Sequence, residues 1–292
     1  MTLEQLRIFI AVAEREHVTR AAEALCLTQS AVSHAIMTLE QEFGLSFFDR
    51  IGRGIALTPT GRVFLSEARA VLSRAEAARS RMTELTMLKG GTLHLWASQT
   101  IASYWLPARL NQFHTRNPDI TLSLTISNTE EICQNLASGT LSLGLIEGAG
   151  TEAGLSLTEI ARDQLVLVVA PDHPWSREPP LPRDLTQAGW ILRERGSGTR
   201  ASFENALSDW GVDPAQLTIV MELTSNEAIA NAISTGQAAT VLSASVVAGL
   251  IENGLLHHVE MAFPDRRFAL VRNDRSLSPA EQAFTQFLRS SL

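Results

Sequence analysis

TRAAEALCLTQSAVSHAIMTLEQEFG, residues 19–44, decides how the first part of the chain folds. Thr19 can cap a helix over Thr19–Leu25, with Glu23 in its early turns. Cys26-Leu27-Thr28 breaks the pattern. A further helix is predicted over Gln29–Phe43, with Val32, Ile36, Leu39 and Phe43 as its inward stripe and Gly44 as its stop. Upstream, Leu3, Leu6, Phe9, Ile10 and Ala13 recur at helical spacing over 3–16. Downstream, Leu45–Leu57 holds two short apolar stretches around Arg50-Ile51-Gly52-Arg53-Gly54, the pattern of a small hairpin with a Gly-rich tip.

Three helices and a hairpin in that order predict a winged helix-turn-helix. With the stripe of the third helix turned inward, the opposite face shows Gln29, Ser30, Ser33, His34 and Met37. Gln can pair with adenine N6 and N7, Ser with several base edges or a phosphate, and His with guanine acceptors. Small residues here let a helix enter a major groove. Arg50 and Arg53 flank the hairpin tip, where a cation would meet phosphates or a minor groove. Thr19 and Arg20 open the preceding helix and complete the expected DNA-contact set. The competing reading is a solvated polar face, but an uncharged polar face is unusual for mere solvation.

Thr58-Pro59-Thr60 starts a long helix reaching about Leu88. Phe64, Ala68, Val71, Ala75, Ala78, Met82 and Leu85 alternate steps of four and three, the spacing of a coiled-coil seam. A second copy of the chain is the simplest partner for it; packing on its own domain is the alternative. Gly90-Gly91 then marks a boundary. Beyond it, strands at 92–97, 120–126, 141–146, 165–170, 190–192, 218–223, 239–242 and 268–271 alternate with helices at 102–116, 129–138, 199–210, 225–235, 244–252 and 278–291. This predicts an α/β body with mostly parallel sheets, large enough for two lobes.

Charge separates the same two parts. Residues 1–89 carry a net +1 and residues 90–292 a net −8, within a total of −7 over 292 residues. Cys26 and Cys133 are the only cysteines, which excludes a disulfide framework and any CxxC site. Cys26 is expected to be small and buried. His257-His258 lacks further ligands at metal spacing, so no metal or cofactor is expected. No apolar run reaches the length of a membrane span, and residues 1–4 do not begin a signal peptide, so a cytoplasmic protein is expected.

Two turns in the body could hold a ligand. Ser98-Gln99-Thr100 follows the first strand and offers hydroxyls and free N–H groups. Arg193-Glu194-Arg195-Gly196-Ser197-Gly198-Thr199-Arg200 lies between a strand and a helix. Its glycines permit close backbone approach, and its Arg residues suit an anion. It lacks the spacing of a P-loop and of a nucleophile elbow. In each case a plain cap or tight turn is the alternative.

LEQLRIFIAVAE (3–14), residues 19–44, FFDR (47–50) and LTPTG (57–61) together resemble LysR-type transcriptional regulators. The order of the later elements extends the resemblance over the chain. WILRERGSGTR (190–200), IEG (146–148) and SNEAI (225–229) look like a subgroup answering to small anions, sulfur oxyanions or carbon-fixation metabolites.

The resemblance implies a DNA-binding domain over 1–59, a dimerisation helix over 60–89 and an effector domain over 90–292 like a periplasmic binding protein. Within the last, one lobe spans about 92–161 and 267–292 and the other 162–266. Ser98, Gln99, Thr100 and Glu147 would then face Arg195, Ser197, Gly198, Thr199 and Asn226 across a cleft. Arg195 or Arg200 would compensate the charge of an inorganic oxyanion or short carboxylate. The implied partners are promoter DNA, a second copy pairing into a tetramer, and RNA polymerase, with no membrane. One departure is that residues 1–61 hold five Arg against seven Asp and Glu, so DNA affinity leans on Arg placement. The rivals to a regulator are a binding-protein-fold enzyme or receptor with a helical extension, and an architectural DNA binder without a ligand.

Overall fold

Thr2 starts the first helix, α1 (Leu3–Arg15), with a capping box: its hydroxyl accepts from Gln5 N (3.2 Å) and Gln5 Oε1 accepts from Thr2 N (2.8 Å). The computed structural model describes residues 1–51, 54–86, 91–148 and 154–290, without the side chains of 50, 51, 76, 77 and 80–86. The chain forms two units, Met1–Thr86 and Met87–Leu292.

In the first unit, α2 (Val18–Ala24) is capped by His17, whose Nδ1 accepts from Arg20 N, and not by Thr19. Thr19 lies one residue inside the helix and is half-buried. Cys26 takes a positive φ of 55° in the turn and is exposed, contrary to the expectation of burial. Thr28 caps α3 (Gln29–Phe43), which ends at Gly44 with a φ of 65°. Val32, Ala35, Ile36 and Leu39 are buried with Leu6, Phe9 and Val12 of α1. Phe43 is 44% exposed, not inward as expected, and meets the rings of Phe47 and Phe64 at the rim of this core. The wing is an antiparallel pair, β1 (Phe48–Ile51) and β2 (Gly54–Leu57).

The long helix α4 (Pro59–Thr86) is about 42 Å long at 1.5 Å per residue. Thr58 anchors its start, donating to Ser46 O (2.9 Å) and accepting from Gly61 N (2.9 Å). A Cβ on Gly61 would lie 2.1 Å from Phe47 O, so only glycine lets the helix begin this close to the wing. Phe64 and Ala68 open the expected seam, yet both pack into their own unit. Ala68 is buried in the core shared with α1, and Phe64 stacks on Phe47 at 4.3 Å. Ala75 is half-buried, whereas Val71 and Ala78 are exposed. Met82, Leu85 and Gly90 lie outside the described residues or side chains.

The second unit contains two five-stranded sheets. In chain order the first lobe begins with β3 (Gly91–Ser98), a π-helical turn at Ile101–Trp105, α5 (Leu106–Arg116), β4 (Ile120–Ser127), α6 (Thr129–Ala137), β5 (Leu143–Glu147) and β6 (Ser156–Asp163). The second lobe carries β7 (Leu165–Val169), β8 (Gly189–Arg193), α7 (Gly198–Asp209), β9 (Thr218–Leu223), α8 (Asn226–Ser234), β10 (Ala239–Ser243), α9 (Ala244–Glu252) and β11 (His257–Val259). The chain then returns to the first lobe with β12 (Arg266–Arg272) and α10 (Pro279–Ser290).

The sheet orders are β4-β3-β5-β12-β6 and β11-β7-β10-β8-β9. Each is half parallel and half antiparallel, not mostly parallel, because β12 re-enters against β5 and β6, and β7 runs against β10 and β11. Strand β6 and strand β11 were not expected. Both are edge strands: β6 buries only Ile160 and β11 is three residues long, so neither carries a run of apolar residues. Alternate residues of the central strands feed opposite faces. Leu165, Leu167 and Val169 pack with α7, while Val166 and Val168 pack with α8 and α9. No helix among the described residues is long and apolar enough to cross a membrane.

Candidate functional site

On α3, Gln29, Ser30, Ser33, His34 and Met37 are all exposed, opposite the buried stripe. Among the described residues, short local contacts restrain them: Thr28 Oγ1 lies 3.1 Å from Ser30 Oγ, and Thr38 Oγ1 donates to His34 O (2.8 Å). Arg20 is exposed on α2. Arg53 and the Arg50 side chain lie outside the described residues. The wing is set against α3 by Glu40, whose Oε1 accepts from Phe47 N (2.7 Å) and Phe48 N (3.3 Å).

In the second unit, the carboxyl ends of β3 and β5 meet the starts of α7 and α8. Glu147, the last residue of β5, is only 2% exposed. Its Oε1 accepts from Ser98 Oγ (2.8 Å) and Thr100 N (3.2 Å). Its Oε2 accepts from Thr199 Oγ1 (2.9 Å) and Arg266 Nη1 (2.7 Å). Burial pushes this carboxyl up. The Arg266 guanidinium and the bonds from Ser98, Thr199 and Thr100 outweigh that and hold it below the usual carboxylate range. It is therefore ionised at neutral pH.

Further bonds cross between the lobes. Asn226 Nδ2 donates to Thr100 Oγ1 (3.1 Å), and Asn226 N donates to Gln99 Oε1 (2.8 Å). Gln99 Nε2 donates to Glu227 Oε2 (2.9 Å), and Tyr104 Oη donates to Glu227 Oε1 (3.0 Å). Burial and the Glu227 carboxylate push the Tyr104 hydroxyl up to about 12. Glu130 N donates to Gly196 O (3.1 Å). A Cβ on Gly198 would sit 2.6 Å from Glu147 O and 2.7 Å from Thr129 Oγ1, so glycine is what lets α7 approach β5. Ser197 is the N-cap residue of α7 but makes no side-chain capping bond.

Two expected cations do not compensate charge at this point. Arg195 is exposed and has no ion pair among the described residues. Arg200 is tied to Glu204 and Glu222 and donates to Arg193 O. The cation on Glu147 is instead Arg266, 4% exposed, at the start of β12. Its Nε donates to Asp163 Oδ2 (2.6 Å) and its Nη1 to Glu147 and to Thr199 Oγ1 (2.8 Å). Asp163 and Arg266 end and begin the two strands by which the chain crosses between lobes. Arg266, Asp163, Tyr104 and Glu227 were missed from the sequence. An Arg opening a late strand carries no local signal; only its buried carboxylate partners mark it.

A winged helix-turn-helix unit followed by a two-lobed α/β unit with a polar cleft is the build of a ligand-responsive DNA-binding protein. Residues 3–62 match the family described as bacterial regulatory helix-turn-helix proteins, lysR family, and residues 88–292 match the LysR substrate binding domain. The chain belongs to the LysR family of transcriptional regulators. It is 33% identical over 297 residues to the RuBisCO operon transcriptional regulator of Allochromatium vinosum, covering 99% of this chain and 96% of that one. The fold is shared with full-length CbnR complexed with its target DNA (TM-score 0.73, 24% identity, 100% of each chain). The regulatory domain of CcmR from Synechocystis PCC6803, in complex with 2-PG, is 28% identical with a TM-score of 0.62, over 70% of this chain and 97% of that one. The protein is thus a DNA-binding transcriptional regulator with an effector-binding domain, and not an enzyme. The rival reading as an enzyme or receptor with a helical extension is set aside.

Proposed function

We propose that promoter binding by this regulator is modulated by a small anion held between the lobes of the second unit. One observation carries the reading: Ser98 and Thr100 from one lobe and Thr199 from the other converge on a single buried negative charge, the Glu147 carboxylate. These are the donor types that hold an oxyanion, and the Ser98 and Thr199 hydroxyls can turn from Glu147 to a ligand. Short carboxylates and inorganic or organic oxyanions are the fitting classes. The names of the relatives favour a carbon-fixation metabolite over a sulfur oxyanion. In this reading Ser98, Gln99, Thr100, Ser197, Gly198, Thr199 and Asn226 line the effector site, with Arg195 at its edge. Effector binding shifts lobe placement only by as much as its affinity differs between the two placements.

The DNA reading assigns base contacts to Gln29, Ser30, Ser33 and His34. Thr19, Arg20, Arg50 and Arg53 are assigned to the backbone or minor groove. Self-association into dimers and tetramers is supported by α4, where Val71 and Ala78 are exposed, and by edge strand β9, where Ile219, Val220 and Met221 are all exposed. The protein would work in the cytoplasm, acting on RNA polymerase at its promoter.

Calorimetry on the full chain with phosphate, sulfite, sulfate, thiosulfate, glycolate and 2-PG tests the effector site. Thr100→Ala with Thr199→Ala is expected to abolish anion binding while leaving basal DNA binding in an electrophoretic shift intact. Full anion affinity in the double variant would sink the assignment.

A further inference from the structure

Two facts about the cleft pull in opposite directions. The site gathers donors as an anion site does, yet a fixed carboxylate stands in the middle of it. Glu147 takes four hydrogen bonds, two on each oxygen, which fills the ordinary acceptor capacity of a carboxylate. Its surroundings are not rich in positive charge. Arg266 is shared between Glu147 and Asp163, and Arg193, the other buried guanidinium that reaches the cleft, is paired with Glu194 and donates to Asn226 Oδ1, so three carboxylates face two guanidinium groups. A second, unprotonated anion pressed against this cluster would meet repulsion that buried surroundings screen poorly.

The same cluster holds donors without acceptors. Arg266 Nη2 is buried and has no hydrogen-bond partner among the described residues. The hydroxyl of Thr100 accepts from Asn226 but donates to no acceptor among the described residues. The N-terminus of the twelve-residue α7 has no side-chain cap from Ser197. A ligand that satisfies all of these must present acceptor oxygens to Arg266 Nη2 and the α7 start. It must also present a proton to Glu147.

Resting on the anion reading above, we infer that Glu147 makes the cleft selective for oxyanions that carry an O–H of their own. Hydrogenphosphate, hydrogensulfite and α-hydroxycarboxylates belong to this class; sulfate, thiosulfate and acetate do not. The ligand O–H donates to Glu147 in place of Ser98 or Thr199. Each of these is a hydroxyl that can turn and donate to the ligand instead. The ligand oxygens accept from Arg266 Nη2. Sulfate has no proton to offer at neutral pH, so its approach leaves two anions facing each other. A site built around a specific hydrogen bond rejects the analogue that lacks the partner more strongly than shape alone can.

The test is isothermal titration calorimetry on the full-length protein at neutral pH and constant ionic strength. The probes are two matched pairs: phosphate with sulfate, and glycolate with acetate. The proton-bearing member of each pair is expected to bind at least about tenfold more tightly in the wild type. In Glu147→Gln, which keeps the shape but removes the charge, each ratio is expected to shrink to about threefold or less. Equal binding within the pairs of the wild type overturns the inference, and so does an unchanged ratio in a folded Glu147→Gln. If that variant does not fold, the two wild-type ratios decide, and both must favour the proton-bearing member. Binding that is lost in the Thr100/Thr199 double variant but does not discriminate sinks the inference and leaves the cleft reading standing. Failure of all four probes and of 2-PG to bind overturns both.

Discussion

Gln29, Ser33 and His34 stand exposed on α3, whereas Ser98, Thr100, Glu147 and Thr199 in the cleft are each at most 3% exposed. In the roles proposed for them, the two sites prepare for a partner in opposite ways. A duplex is large and brings its own field and shape, so a helix that meets it can leave its polar groups in water until contact. A small ligand cannot organise a pocket around itself. Its donors must be held in place beforehand, and a buried polar group must be hydrogen-bonded in the meantime. In the proposed reading Glu147 serves that end, holding three donor residues and one cation around a fixed negative charge.

The contrast breaks most visibly at Arg266. Arg266→Ala leaves Glu147 and Asp163 buried without their cation. It is expected to destabilise the second unit by about 3–5 kcal/mol in denaturant unfolding. A loss under about 1 kcal/mol would show that water replaces the guanidinium and that the cluster is not organised by it.

Gly198→Ala comes next. Its Cβ would meet backbone and side-chain atoms of the opposite lobe at under 3 Å. The approach of α7 to β5 must open, at about 1–3 kcal/mol, with weaker anion binding. Unchanged stability and affinity would show that the lobes do not need this approach.

On the other side of the comparison, Gln29→Ala touches no buried contact. Stability is expected to stay within about 0.5 kcal/mol of wild type. Operator affinity should fall by about 1–3 kcal/mol, with relaxed preference at one base pair in a shift assay. Unaltered binding to the natural operator would remove Gln29 from the reading face.

The smallest effect is in acid. A carboxyl held below its unfolded value contributes stability that is complete above that value, about 4.3 for Glu, and is lost as pH falls through the folded one. Glu147 is such a group. Unfolding followed from neutral pH downward should therefore show a steeper acid limb in the wild type than in Glu147→Gln. Superimposable limbs would mean that the carboxyl is not held down in the folded protein.

Much of this was legible in the residues. Val32, Ile36 and Leu39 mark the buried face of α3 by spacing, and their complement is the exposed face. Ser98, Thr100, Thr199 and Asn226 sit at strand-to-helix turns, where hydroxyls and amides signal themselves locally. Other features left no local trace. Phe64 and Ala68 look like a seam for a partner helix, but α1 and the wing lie close enough to use them. Thr19 looks like a cap, but the chain starts its helix earlier and His17 takes the role. Arg195 and Arg200 look like the cleft cations because they flank the glycine turn. One points into water and the other is taken by neighbouring carboxylates.

Local periodicity, caps and turn residues determined by themselves that the chain carries a winged helix-turn-helix, a long helix and an α/β body. Those signals act over a few residues, and the chain cannot avoid displaying them. Only the tertiary structure decided which charges meet. Glu147, Asp163 and Arg266 are 16 to 119 residues apart in the chain. Their energies come from mutual distance and exclusion of water, and neither is encoded in the residues next to them.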